Sequence, residues 1–254
     1  LSLAGLFGFF SRLPAPAEDL QEIGASAYLL PLVGVALGLA LYAFALPLAL
    51  WAPPDLASVA LMGSLYLLTG ILHLDGLADF GDALATPGTR GRRREAMKDP
   101  RVGVGGLLAV ALILLTLFSS FRLIFSRVST TPLDGLLPRG HLAAALVTSE
   151  LAAKLSVGFC AGFGRPLEAG MGHAFSQAFR RSHAAASLAL AVPLALVLSG
   201  SWGLLLFIGP PMGALTAAVA ARTVGGVSGD VLGASNEMGR AAALAAWSVL
   251  AWMS

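Results

Sequence analysis

Residues 28–51 read YLLPLVGVALGLALYAFALPLALW, a stretch without one charged side chain. At 1.5 Å per residue a helix of this length reaches about 36 Å, enough to cross a hydrocarbon core of about 30 Å. The pattern does not alternate between apolar and polar residues, as the strands of a membrane barrel would. The rest of the chain repeats the theme. Uncharged or nearly uncharged runs cover 56–72, 102–121, 141–163 (interrupted by Glu150 and Lys154), 184–221 and 241–252. The run 184–221 is too long for one crossing, and Ser199-Gly200-Ser201-Trp202 offers a turn within it. Of 254 residues, 57% are hydrophobic and 12% are charged, with a mean hydropathy of +0.81. A soluble domain carries about 25% charge. The fold class expected is all-α: a single-domain polytopic bundle over residues 1–254, with about seven membrane-crossing or embedded helices and long loops on one side. The first residues, LSLAGLFGFFSRLPAP, lack a basic start and a cleavage site before Arg12. They read as an interfacial helix rather than a signal peptide. Cys160 is the one cysteine and reads as a packing residue.

With those spans the linkers alternate sides. One set comprises the N-terminus, 73–101, 164–183 and 222–240, and holds Arg12, Arg90, Arg92, Arg93, Arg94, Lys98, Arg101, Arg165, Arg180, Arg181, Arg222 and Arg240. The other holds Arg127 and Arg139, with Arg122 near a helix end. The excess of positive charge places the first set in the cytoplasm. The same linkers carry the acidic residues that draw attention. HLDGLADFGDAL, 73–84, puts Asp75, Asp79 and Asp82 at i, i+4 and i+7, on one helical face. Three carboxylates on one face repel, and a hard cation such as Mg²⁺ relieves the repulsion. A solvated helix end, or ion pairs with nearby arginines, accounts for the same spacing. Asp230 and Glu237 in GGVSGDVLGASNE, 225–237, share a second face, with Ser228 as a candidate cap. MKDPRVGVGG, 97–106, sets Lys98 and Arg101 around Asp99 and opens a helix with Gly103, Gly105 and Gly106, a combination suited to phosphate. RGRRR, 90–94, reads most simply as an anchor on anionic headgroups.

Other features are read more plainly. Glu150 and Lys154, at i and i+4, form an intramembrane ion pair. GMGHAF, 170–175, suggests a structured loop. Of the histidines, His73 alone adjoins the aspartates. Gly34-x-x-x-Gly38 permits close helix packing within the chain or between copies, so a homo-oligomer is compatible with it. GxxxxGK[ST], HExxH and CxxC are absent. The basic residues lack interleaved aromatics, so nucleic acid is not an expected partner.

HLDGLADFGDAL, MKDPRVGVGG and GGVSGDVLGASNE, with FFSRLPAP before them and EAGMGHAF between, resemble in order and spacing the cobalamin synthase (adenosylcobinamide-GDP ribazoletransferase) family. The resemblance reaches from near the start to near the end of the chain. It implies a transferase in the prokaryotic inner membrane that joins adenosylcobinamide-GDP to α-ribazole, or to its 5′-phosphate, in the last steps of cobalamin assembly, releasing GMP with Mg²⁺ as cofactor. Position by position it implies metal binding by Asp75, Asp79 and Asp82, catalytic roles for Asp82, Asp230, Lys98 and Arg101, and substrate binding by Lys98, Arg101, Gly103 and Glu237. Ala83, Pro100 and Ser228 depart from the family pattern, and none of these removes a charged group. A CDP-alcohol phosphotransferase uses similar chemistry, but its A-R pair between the aspartates is missing here. A cation-coupled transporter would place its charges at mid-membrane, and only Glu150 and Lys154 favour it.

Overall fold

The computed structural model describes residues 3–12, 14, 20–130, 136–167, 175 and 177–253. In chain order the helices are α1 (Leu3–Phe10), α2 (Leu20–Ala25), α3 (Leu30–Trp51), α4 (Pro54–Thr69), α5 (Leu72–Ala85), α6 (Arg90–Met97), α7 (Val104–Thr130), α8 (Leu136–Phe163), α9 (Arg181–Ser199), α10 (Gly209–Thr223) and α11 (Gly229–Met253). Single 3₁₀ segments precede α3 and join α9 to α10. No strand occurs among the described residues, only an isolated bridge between Pro166 and Val227. The all-α expectation holds. The GMGHAF loop apart from Phe175, the Leu13 and Ala15–Pro16 part of the N-terminal motif, and the Arg139 side chain lie outside the described residues.

Helix α8 is the axis. Its apolar window is 89% buried, against 22% for that of α7. Helices α3, α9, α10 and α11 all pack on it. They can do so closely because small residues face the contact. A Cβ on Gly38 would lie 2.6 Å from Val147 Cα, and one on Gly34 would lie 3.0 Å from the Glu150 carbonyl oxygen. Gly34-x-x-x-Gly38 therefore serves packing inside the chain. The α1 helix is not peripheral: Leu6 and Phe10 are buried in the same core as Leu30, Phe80 and Phe175. Cys160 lies there too, fully buried.

Four helical stretches are long and apolar enough to cross a bilayer: Ala27–Trp51, Val104–Arg127, His141–Phe163 and Arg181–Thr223. The fourth folds back on itself, as Ser199–Trp202 suggested. Gly200 takes φ 57°, and a Cβ on Gly203 would sit 2.6 Å from the Ala195 carbonyl oxygen. In a straight helix, residues eight apart are about 12 Å apart along the axis. The expected second span is shorter than the sequence suggested. Helix α4 stops at Thr69, Gly70 turns with φ 74°, and α5 leaves at 95°. Leu72 belongs to α5, so if α4 crosses the membrane, α5 runs in its plane. The expected seventh span is the second half of α11, whose first half carries Asp230, Glu237 and Arg240. Three tryptophans lie towards the end opposite the aspartates: Trp51 closes α3, Trp202 follows the Gly200 turn and leans at 40° on the buried Trp247, 5.2 Å away, and Trp252 nears the end of α11. Such aromatics sit well at a membrane–water boundary.

The Gly38 contact leaves no room for a side chain. Gly38→Leu should force α3 from α8 and cost about 1–3 kcal/mol. The check is a lowered melting temperature in detergent relative to the wild type and to a lipid-facing control, Leu39→Ala.

Candidate active site

Three linkers distant in sequence meet at the end of the bundle that carries the aspartates. The Val227 N–H donates to the Arg165 carbonyl at 2.8 Å, and the Leu167 N–H to the Val227 carbonyl at 3.0 Å. Arg94 Nε donates to the Val224 carbonyl at 2.6 Å, Arg90 Nε to the Arg222 carbonyl at 3.5 Å, and Arg93 Nε to the Thr86 carbonyl at 3.0 Å. The RGRRR run is therefore a latch between α6 and its neighbours more than a headgroup anchor. Its arginines go to carbonyls that the ends of helices leave without partners.

Helix α5 presents the acidic face. Its Gly76 lies so close to α11 that a Cβ there would be 2.7 Å from Asp230 Cα. This contact brings Asp230 to Asp75 and Asp79. Ser228 caps α11 as expected: its Oγ accepts the Val231 N–H at 3.3 Å. Its hydroxyl also donates to Asp230 Oδ2 at 3.3 Å. Asp75 is exposed, while Asp79 and Asp230 are half-buried. Burial, then the charges of Asp230, Asp75 and Asp82, push the Asp79 carboxyl up to about 6. Burial and the charge of Asp75 raise Asp230 as well, against the hydrogen bond from Ser228.

Asp82 is placed differently from its two companions. Its Oδ2 accepts the Gly103 N–H at 2.7 Å and its Oδ1 the Gly106 N–H at 2.8 Å. The glycine-rich entry to α7, expected to receive a phosphate, already holds an anion from its own chain. A Gly103 N–H could meet substrate only by displacing Asp82. Arg101 is also engaged: its Nε and Nη2 grip Asp99 at 3.0 and 2.8 Å, and its backbone N–H adds a third bond at 3.0 Å. These bonds hold the Asp99 carboxyl down to about 2. Lys98 is exposed, and its ammonium has no ion-pair partner among the described residues.

Glu237 is the clearest displacement. It shares a helical face with Asp230 but is fully buried, with Oε1 taking Arg240 Nη1 at 2.5 Å and Asn236 Nδ2 at 3.1 Å, and Oε2 taking the Tyr66 hydroxyl at 3.2 Å. It has no oxygen free for substrate. Arg240, counted by its position among the cytoplasmic positive charges, is 1% exposed and bridges Glu237 to Glu150. The expected Glu150–Lys154 pair is present at 3.6 Å, as part of this larger set. Sequence spacing did hold the signal, since Glu237 and Arg240 stand at i and i+3.

Among the described residues no three His, Cys, Asp or Glu side chains converge closely enough to cage a metal ion alone. The donor set suits a cation that shares protein carboxylates with substrate phosphate oxygens, as Mg²⁺ does. Asp75 and Asp79 are carboxylates with oxygens to give, and Asp79 is raised by burial first and by the charges of Asp230, Asp75 and Asp82 after it.

Two outcomes follow. Because the folded-state pKa of Asp79 lies above the ordinary carboxyl value, its contribution to stability is present at low pH and is lost as pH rises through about 6. In EDTA, wild type minus Asp79→Asn should show a melting-temperature difference that falls between pH 4 and about 7. A flat difference would remove the crowding account. Asp82→Ala should cost about 1–2 kcal/mol by uncapping α7, read as a lower melting temperature.

Comparison with known proteins identifies the family. The cobalamin-5-phosphate synthase family matches residues 2–248. The chain is 36% identical to an adenosylcobinamide-GDP ribazoletransferase of Halorubrum lacusprofundi, covering 99% of this chain and 97% of the relative. It is 34% identical to one of Klebsiella pneumoniae (94% and 95%), and 30% identical to one of Methanococcoides burtonii (94% and 89%). No solved structure matches. A bundle built around α8, an acidic face on α5 met by Asp230, and similarity over nearly the whole length lead to one assignment: the chain belongs to the cobalamin-5-phosphate synthase family.

Proposed function

We propose that this protein is a Mg²⁺-dependent membrane transferase that joins adenosylcobinamide-GDP to α-ribazole, or to its 5′-phosphate, and releases GMP. The observation that carries the reading is the meeting of Asp230 with Asp75 and Asp79, from elements about 150 residues apart, in a family whose relatives bear that enzyme name. The α-ribazole hydroxyl forms a P–O bond to the phosphorus on the cobinamide side. The bond to the GMP-side oxygen breaks, and GMP leaves. Asp230, with its raised pKa, is placed to take the hydroxyl proton. Lys98, whose ammonium has no ion-pair partner among the described residues, suits the substrate phosphates. Arg101 can offer them its Nη1 edge while Nε and Nη2 hold Asp99. Asp82 acts by holding the entry to α7 against α5. Asp75 and Asp79 would hold Mg²⁺, and such an ion would supply positive charge against the departing phosphate. The positive-inside pattern supports a site on the cytoplasmic face of the inner membrane.

A CDP-alcohol phosphotransferase has no comparable support here, and the charges at mid-membrane that a transporter would need are paired with one another.

The test is a mass-spectrometric assay of the detergent-purified protein with adenosylcobinamide-GDP and α-ribazole, with Mg²⁺ or EDTA. Product should require Mg²⁺ and fall at least 100-fold in Asp79→Asn. At limiting Mg²⁺, activity should fall as pH drops through about 6, where metal-free Asp79 takes up its proton, and that fall should move to lower pH as Mg²⁺ is raised. Full activity of Asp79→Asn in EDTA would overturn the reading.

A further inference from the structure

The set of buried charges at the core of the bundle belongs to neither the acidic site nor the lipid boundary. Glu150, Lys154, Glu237 and Arg240 are each at most 1% exposed, and together they carry no net charge. Arg240 Nε meets Glu150 Oε1 at 2.5 Å. Lys154 sits over the Phe10 ring, 5.0 Å from its centroid. Such a set is a poor way to gain stability. Desolvation offsets most of the attraction, and a well-packed apolar replacement is often as stable. What buried polar contacts supply best is registry, since they are satisfied in one arrangement only.

The contact that needs registry is the one between α5 and α11. Two of its close approaches use glycine. Gly76 lies against Asp230, and a Cβ on Gly233 would be 3.1 Å from His73 Cα. Glycine lets backbones approach but offers no knob to stop one helix sliding along the other. A slip of one turn, about 5.4 Å, would take Asp230 out of the field of Asp79. The stop lies one turn along α11 from Gly233. Asn236 Nδ2 is 3.5 Å from His73 Nδ1, on the first turn of α5. Asn236 is itself held, its Oδ1 by Lys154 Nζ at 2.7 Å and its Nδ2 by Glu237 Oε1 at 3.1 Å.

We propose that Asn236, clamped by Lys154 and Glu237, is a positioning residue: it fixes the register of α5 on α11 and so sets Asp230 against Asp75 and Asp79. The inference rests on the function proposed above.

Two variants test it. Asn236→Leu removes the stop. Glu150→Gln with Lys154→Met removes the Lys154 half of the clamp while leaving the remaining Arg240–Glu237 pair neutral. Spin labels at the exposed Leu84 and Leu250 report the register directly, and the assay above, run over a Mg²⁺ series, reports its consequence. Both variants should stay folded, with the label distance shifted by up to about 5 Å. Residues that orient metal ligands typically contribute 10–100-fold to affinity or activity. A rise of that order in half-saturating Mg²⁺ is expected, with partial recovery at high Mg²⁺. An unchanged distance with unchanged Mg²⁺ dependence overturns the proposal. So does activity lost only in proportion to unfolded protein. Should Asp79→Asn remain fully active, the proposed function itself fails. Should Asp79→Asn be inactive while both variants match the wild type, only the registry role fails.

Discussion

Gly76 of α5 lies on the backbone of α11 at Asp230, and the arrangement around the acidic face follows from that approach. Without a side chain between them, two helices from opposite ends of the chain come near enough for their carboxylates to feel one another. The raised Asp79 and Asp230 record this proximity. A bulkier residue would separate the helices and return each carboxylate to water. The same approach excludes a side-chain lock at the crossing itself, so whatever holds the alignment has to sit beside it.

Two kinds of polar contact surround the crossing. On the linker side, arginines of α6 and the bridge at Pro166 and Val227 tie loops together through backbone carbonyls. On the bundle side, ionised groups meet in the dry interior, each answered by an opposite charge. The first set is part-buried and made of single hydrogen bonds, each contributing about 1 kcal/mol. The second is dry, and breaking it by removing one partner strands a charge at a cost of about 3–5 kcal/mol. The acidic face thus sits between a yielding rim and an unyielding floor.

Much of this was legible in the sequence. Uncharged runs of span length disclosed the helical membrane class, because backbone groups in hydrocarbon must be satisfied within the segment. The i, i+4, i+7 aspartates disclosed the acidic face, and the Ser-Gly turn at 199–201 disclosed the reversal. Periodicity tells which way a side chain points from its own helix, but not what waits there. Asp82 shares the face of Asp79, yet the start of α7 lies over it and takes both its oxygens. Glu237 shares the face of Asp230, yet two turns along the helix it is inside the protein. Arg240 shows the limit of charge counting: an arginine next to a span is assigned to water by position, and only its partners Glu150 and Glu237 show otherwise. The bend at Gly70 was hidden for a similar reason, since glycine within an apolar run signals either packing or a turn.

The order in which the helices occur along the chain also bears on how the protein is made. Helix α8 enters the membrane before α11 is synthesised, carrying Glu150 and Lys154 already paired one turn apart. During insertion each charge therefore travels with its own counter-charge, and neither depends on a helix that does not yet exist. Arg240 and Glu237 arrive in the same way, together on α11. The two self-neutral halves keep their own pairs and gain the Arg240–Glu150 bridge as the bundle closes. Asp75 and Asp79 wait through the synthesis of about 150 residues for Asp230, so the acidic face is complete only when α11 docks.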